Sequence, residues 1–239
     1  MTITLEFGKK SMEPDIRWLF DISDVLCDRD WAKTAENVEL YYMYRDLYLS
    51  RKDRDLLQDQ KLRYDITIIP PRTLGCEFVK TAGHYHPKVA GSEITYPEVY
   101  EVLEGEATYL LQKEDGRDVV VLRAVANDKV LIPPGYGHIT INQSNKRLKM
   151  ANFVCRDFSS IYDPIKKMGG GAYFLTIDGF VKNERYPNLP LLREIEVPKV
   201  SHLGLIRSRE MYPLLREEGK LDYLVRPQEH PEVFDGLLN

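Results

Sequence analysis

Between residues 62 and 180 the chain breaks into nine short runs rich in β-branched and aromatic residues, each closed by Gly, Pro, Asn or Asp. In order they are RYDITIIP, CEFVKTAGHYH, PEVYEVLEG, EATYLLQK, RDVVVLRAV, KVLIP, GHITIN, LKMANFV and AYFLTID. Runs this short, at this spacing, predict an all-β sandwich or barrel with hairpin turns at Glu104-Gly105-Glu106 and Glu114-Asp115-Gly116. Residues 1 to about 60 hold polar turns, the helix-like DRDWAKTAEN, the aromatic cluster ELYYMYRDLYL and the charged run SRKDRDLLQDQK, which reads as a solvated turn or short helix. The tail from about 181 is proline-rich, with a helix expected near Ser208 to Glu218 that ends at Gly219. Pro213 falls inside that span, where a helix tolerates it only in the first turn. With no internal repeat and no Gly/Ser linker, the chain reads as one unit: an N-terminal segment (1–60), a β domain (61–180) and a C-terminal extension (181–239) packed on the barrel or on a second subunit.

The net charge of −4 is spread over interleaved acidic and basic residues, so no basic face is offered to nucleic acid and no polybasic arm to a membrane. A small molecule is the expected partner. The opening MTITLEFGKKSMEPDIRW has no apolar signal-peptide core, and no run approaches the roughly 18 apolar residues of a membrane span, which predicts a cytoplasmic protein. Cys27, Cys76 and Cys155 are odd in number and make no CxxC, so buried thiols are expected rather than disulfides or a thiolate metal site.

Three of the five histidines, His84, His86 and His138, lie within the β region. On a strand, residues two apart share a face, so His84 and His86 present both imidazoles to one side. A lone strand histidine is usually an ordinary core or surface residue, but an HxH pair with a glutamate on the next strand is a much sharper signal. Imidazole with carboxylate suits Fe, Mn, Ni, Zn or Cu. His202 and His230 stand alone in the tail and read as surface residues.

Two segments resemble the two sequence motifs of the cupin family. The first carries His84, His86, Glu98 and Gly105, with six residues between the glutamate and the glycine; Phe78 replaces the motif's opening glycine. The second, NDKVLIPPGYGHITIN, carries Pro133, Gly135, His138 and Asn142, with Asn127 where the motif has its first glycine. Asn accepts left-handed backbone better than most residues, so that change is mild. The resemblance implies a cupin jelly-roll barrel and one divalent metal ion per subunit, held by His84, His86, Glu98 and His138. One departure is large: eleven residues, Pro87 to Pro97, separate His86 from Glu98, where cupins usually have three or four. Glu93 therefore competes as the carboxylate ligand. Glu98 is favoured because it opens a strand beside the HxH segment, whereas Glu93 sits in the loop-like VAGSEITYP. Glu101 has the opposite parity and faces outward, and Glu104 belongs to the turn.

Beyond the metal motifs, KTAGHYH, EVYEVLEGEATYLLQ, VLIPPGYGHITIN, RYDITIIPP and the N-terminal IRWLFDISDVLCDRDWAK look like the archaeal cupin-type glucose-6-phosphate isomerases (phosphoglucose isomerases). The likeness runs to about residue 180, some three quarters of the chain. It implies a metal-dependent exchange of glucose 6-phosphate and fructose 6-phosphate, with Fe2+ in the site, or Mn2+, Ni2+ or Zn2+, in a homodimer. It also implies that Thr67, Thr81, Gly83 and Tyr41 hold the sugar phosphate. Glu98 is the candidate base that carries the proton, with a metal-assisted hydride shift as the competing account. Tyr100, two after Glu98, shares its interior face and is read either as a hydroxyl for a sugar oxygen or as a core tyrosine; Tyr162 matches a tyrosine near the substrate. A family histidine close by is here Ser160. The rival readings are a cupin Fe(II) dioxygenase, which has no need of phosphate-facing threonines, and a non-catalytic sugar-binding cupin, which would not need to keep all four ligands.

Overall fold

A computed structural model describes residues 4–239. In chain order the elements are β1 (Leu5–Phe7), β2 (Lys10–Met12), β3 (Asp15–Trp18), α1 (Leu19–Ile22), α2 (Arg29–Thr34), β4 (Glu39–Tyr44), α3 (Arg51–Asp59) and β5 (Leu62–Ile69). There follow β6 (Thr73–Leu74), β7 (Glu77–Phe78), β8 (Glu98–Glu104), β9 (Glu106–Lys113), β10 (Val119–Val125), β11 (Lys129–Ile132), β12 (Tyr136–Ile141) and β13 (Leu148–Cys155). The chain then runs through α4 (Asp163–Lys167), β14 (Tyr173–Thr176), β15 (Gly179–Lys182) and β16 (Arg193–Ile195) into a tail of short 3₁₀ turns. Every run expected to be a strand contributes one. The charged run of residues 50–61 becomes α3, capped by the Ser50 side chain accepting from the Asp53 N–H.

A six-stranded sheet, ordered β11-β8-β13-β5-β4-β3, faces two four-stranded sheets ordered β12-β9-β10-β16 and β15-β14-β7-β6. This is the all-β cupin architecture, although the sheets do not join into one continuous hydrogen-bonded barrel. Side chains alternate across the large sheet. On β5, Arg63, Asp65 and Thr67 turn inward towards a pocket, while Tyr64, Ile66 and Ile68 turn outward. The Gly105 turn joins β8 to β9 at φ +82, a conformation only glycine adopts freely, and a Cβ there would lie 2.4 Å from the Arg147 carbonyl oxygen.

The outward face is not wet. Val200, Leu205, Met211, Tyr212, Leu214 and Leu224 of the tail bury it, forming a second core with Tyr64, Val99 and Phe153. This explains Glu101: it faces away from the barrel interior, yet it is 2% exposed, paired with Lys129 at 2.9 Å and accepting from the Met211 N–H at 2.7 Å. Parity gave its direction; the sheet face it lands on is covered. The helix expected over 208–218 is shorter, a five-residue 3₁₀ turn at Tyr212–Arg216 with Pro213 in its first turn, because proline cannot enter a longer helix further along. The three cysteines are free; Cys155 is buried, but Cys27 and Cys76 are half-buried. Among the described residues no helix is long and apolar enough to cross a membrane.

Candidate metal centre

Three elements bring the four metal candidates together. Glu98 opens β8, His138 lies in β12, and His84 and His86 lie on an irregular segment that pairs with β12. The pairing runs from Lys80 opposite Ile141 to His84 opposite His138, four residues against three, so one residue bulges out. The bulge contains Gly83 at φ +76, where a Cβ would meet Ile139 Cγ1 at 2.5 Å. Strand parity survives the irregularity beyond it: the Nε2 atoms of His84 and His86 lie 3.2 Å apart.

The eleven residues after His86 do not push Glu98 away because they fold out as a hairpin. The Tyr96 N–H donates to the Pro87 carbonyl at 3.1 Å and the Val89 N–H to Ile94 at 2.8 Å, with Lys88 and Thr95 bridged between them. Its base returns the chain beside its starting point. Glu93 sits towards the tip, its side chain 90% exposed and paired with Lys88, outside the cluster. Glu98 Oε2 lies 3.4 Å from His86 Nε2 and 3.2 Å from His138 Nε2, and the ligand atoms of all four residues fall within 4.8 Å of one another.

The donor set fits a cation. His86 Nδ1 stands 2.9 Å from the Tyr96 carbonyl, which can only accept, so Nδ1 carries a proton there and Nε2 is the nitrogen that faces the cluster. Glu98 Oε2 is buried without a hydrogen-bond partner. Lone pairs converging on one buried point repel unless a positive charge lies between them. Burial, with the neighbouring His138 and His86, holds the His84 imidazole well below its ordinary 6.5, and burial likewise lowers His138. Burial alone would raise the Glu98 carboxyl, but the imidazoles of His138 and His86 outweigh it and hold it well below the carboxylate range. An ionised carboxylate beside imidazoles that resist protonation, as at Glu98, His84 and His138, is the donor state that divalent metals require.

These shifts predict acid lability of the metal-free protein. The unfolded histidines take up protons below 6.5 while folded His84 and His138 do not, so stability falls as pH drops through that value towards their lowered folded values. Glu98 adds a contribution that is present above its ordinary 4.5 and lost as pH falls through its lowered folded value. Urea midpoints of chelator-treated protein, followed from neutral into acid, are expected to decline from about pH 6.5. A His84→Gln/His138→Gln variant is expected to decline less steeply; equal slopes would contradict the assignment.

The cluster lies in a cavity of about 300 Å³ that also collects every other site residue expected from sequence: Tyr41, Thr67, Thr81, Gly83, Tyr100 and Tyr162. The Tyr41 hydroxyl accepts from the Ala82 N–H at 3.2 Å. Thr81 Oγ1 accepts from the Thr140 N–H at 3.0 Å, which leaves its hydroxyl proton to donate. The Tyr100 hydroxyl is 3.1 Å from His138 Nε2, and burial together with the Glu98 charge pushes its pKa well up. The Tyr162 ring is 5.5 Å from that of His84, and Ser160 lines the cavity beside it.

Several neighbours escaped the sequence reading. Asn152 on β13 donates to Glu98 Oε1 at 2.7 Å, and Phe158 packs against the His86 ring at 4.6 Å. Asp65 is buried opposite Asn152 and is held by Arg63, whose Nε lies 3.0 and 2.8 Å from its two oxygens. Strand alternation from Thr67 would have put Arg63 and Asp65 on the pocket side; no motif singles them out.

The family model described as glucose-6-phosphate isomerase (GPI) matches residues 20–189. The chain is 29% identical over 168 residues to the glucose-6-phosphate isomerase of Thermococcus litoralis, covering 69% of this chain and 80% of that protein. It is 27% identical over 181 residues to the glucose-6-phosphate isomerase of Pyrococcus furiosus, covering 74% of this chain and 87% of that one. The matched span of the family model contains the whole His84, His86, Glu98 and His138 cluster.

Proposed function

The chain belongs to the glucose-6-phosphate isomerase family, and from that membership we infer that it interconverts glucose 6-phosphate and fructose 6-phosphate in the cavity around His84, His86, Glu98 and His138. The observation that carries the assignment of the site is the convergence of three imidazoles and one carboxylate on one buried point of that cavity. In this reading those four residues hold one divalent cation per subunit, Fe2+ in our assignment, with Mn2+, Ni2+ and Zn2+ accepted by the same ligands. In this reading the enzyme works in the cytoplasm, and as a homodimer, as the family resemblance implies. When bound, the cation supplies Lewis-acid polarisation of the sugar's carbonyl and adjacent hydroxyl.

The chain's own groups do the rest. Glu98 is the proton carrier between C2 and C1 of the open-chain sugar: it is held ionised, and Oε1, fixed by Asn152, keeps a further lone pair to accept a proton. Tyr100 stays protonated and donates to a sugar oxygen. Thr67, Thr81, Gly83 and Tyr41 receive the phosphate, and Tyr162 stands near the sugar; the bulge at Gly83 lets backbone come close to the phosphate. These hydroxyls favour a sugar phosphate over the substrates of a cupin dioxygenase.

A coupled assay with fructose 6-phosphate tests the reading. Activity is expected to vanish with chelator and to return on adding back a divalent metal; oxygen uptake without isomerisation would reject it. Turnover in heavy water is expected to place solvent label in the product, and its absence would replace the Glu98 proton transfer with a hydride shift.

A further inference from the structure

Three arginines line the cavity: Arg17, Arg45 and Arg63. Two are neutralised locally. Arg63 is bound to both oxygens of Asp65, and Arg45 Nε lies 3.3 Å from Asp15. Arg17 is different: it makes no ion pair among the described residues, and its Nε is buried without a hydrogen-bond partner. Its guanidinium does hydrogen-bond the Tyr41 hydroxyl, but a neutral hydroxyl does not answer the charge, and a guanidinium with no counter-charge and a buried unpaired Nε–H is costly in isolation and is retained where a ligand supplies both.

Its place in the fold points to the ligand. Arg17 on β3 pairs in register with Tyr41 on β4, and the Tyr41 hydroxyl, against which the guanidinium rests, accepts from Ala82 between Thr81 and Gly83. The uncompensated charge therefore stands at the end of the cavity that carries the threonine hydroxyls and the Gly83 bulge. Arg63 and Asp65 belong to another part of the wall, beside Asn152 and Val154. We infer that Arg17 is the residue that selects a phosphorylated sugar over its unphosphorylated counterpart, by meeting the phosphate dianion with its planar fork of donors. This rests on the assignment of a sugar phosphate as substrate.

The threonines and backbone around Gly83 are neutral donors that a hydroxyl would also satisfy. Arg17 adds a charge that only an anion answers, with the bidentate geometry that guanidinium offers to phosphate oxygens. The phosphate does not change during isomerisation, so the contact is equal in the ground and transition states, and its loss raises KM without lowering kcat.

The test is calorimetric binding of glucitol 6-phosphate and of glucitol, neither of which can isomerise, to metal-loaded wild-type protein and to Arg17→Met, Arg17→Gln and Arg17→Lys. Removing the charge is expected to weaken glucitol 6-phosphate by about ten- to hundredfold and to leave glucitol and the metal content unchanged. Arg17→Lys is expected to keep most of the preference. With fructose 6-phosphate, both neutral variants are expected to raise KM by a similar factor at constant kcat. Equal weakening of both polyols, or no weakening of the phosphorylated one, overturns the role. Failure of the wild type to isomerise fructose 6-phosphate would instead overturn the functional reading, and the two polyols still report on Arg17 in that case.

Discussion

Replacing Glu98 by glutamine is expected to lower isomerisation of fructose 6-phosphate by about 10²- to 10⁴-fold, the range for loss of a general acid–base group, and to strip most of the bound metal. Glu98 is the cluster's one carboxylate, 3.2 and 3.4 Å from the nitrogens of His138 and His86. Its amide isostere keeps the volume but removes the negative charge that no imidazole can supply. It also places two donor hydrogens where either acceptors or a cation belong. Asn152, which donates to Oε1, would face an ill-matched partner in one of the two amide orientations. The companion variant Glu93→Gln is expected to leave both activity and metal content unchanged, since that side chain is 90% exposed on the hairpin and pairs with Lys88. Metal analysis alongside kinetics on the two variants decides between them. A Glu93→Gln protein that loses metal while Glu98→Gln retains it would reverse the assignment.

The site was largely legible in the sequence because period-two alternation is a local rule: HxH, the PxGxxH turn and Glu98 at the head of its strand each state a direction without reference to the rest of the fold. Asn127 is another local success, adopting φ 75 where a glycine would be usual. What sequence left open was global. Parity says that Glu101 points away from the barrel interior, but not that the tail covers that face and buries the Glu101–Lys129 pair beneath Arg209 and Met211. The same limit hid Asn152, which comes from a strand far along the chain and reaches Glu98 only through the pairing of β13 with β8. Arg17 lay within the family-like IRWLFDISDVLCDRDWAK, but the segment gave it no role, because a charge without a counter-charge is a property of the assembled cavity.

The second large effect concerns that tail. Tyr212→Ala is expected to destabilise the protein by about 3–5 kcal/mol, as truncation of large buried aromatics does, while leaving metal content and KM unchanged. The ring is 5% exposed and lies 4.7 Å from Tyr64 and 6.3 Å from Phe153, on the outward face of the six-stranded sheet. Its hydroxyl accepts from the Leu49 N–H at 3.0 Å and approaches Asp53, which Arg216 also holds, so the truncation loosens both the aromatic core and the docking of the tail on α3. A loss of this size is a large fraction of the roughly 5–15 kcal/mol by which domains are stable. Urea unfolding of the metal-free variant measures it directly. An unchanged midpoint would mean that the tail rides on the sheet without contributing to it; a changed KM would mean that the two faces of the sheet are mechanically coupled.

The hairpin over residues 87–96 sets where this chain can change length. One edge of its base fixes the His86 imidazole through the Tyr96 carbonyl, and Thr95 Oγ1 accepts from the Gly135 N–H at 2.6 Å, the turn that leads into His138. A single small element thus calibrates two ligands that lie some fifty positions apart in sequence. Residues at its base are gauge blocks, and an insertion or deletion there would rotate one imidazole or displace the other. The stretch Ala90-Gly91-Ser92-Glu93 at the tip touches neither anchor, so growth or shrinkage of the chain at that point is expected to pass without registering at the metal.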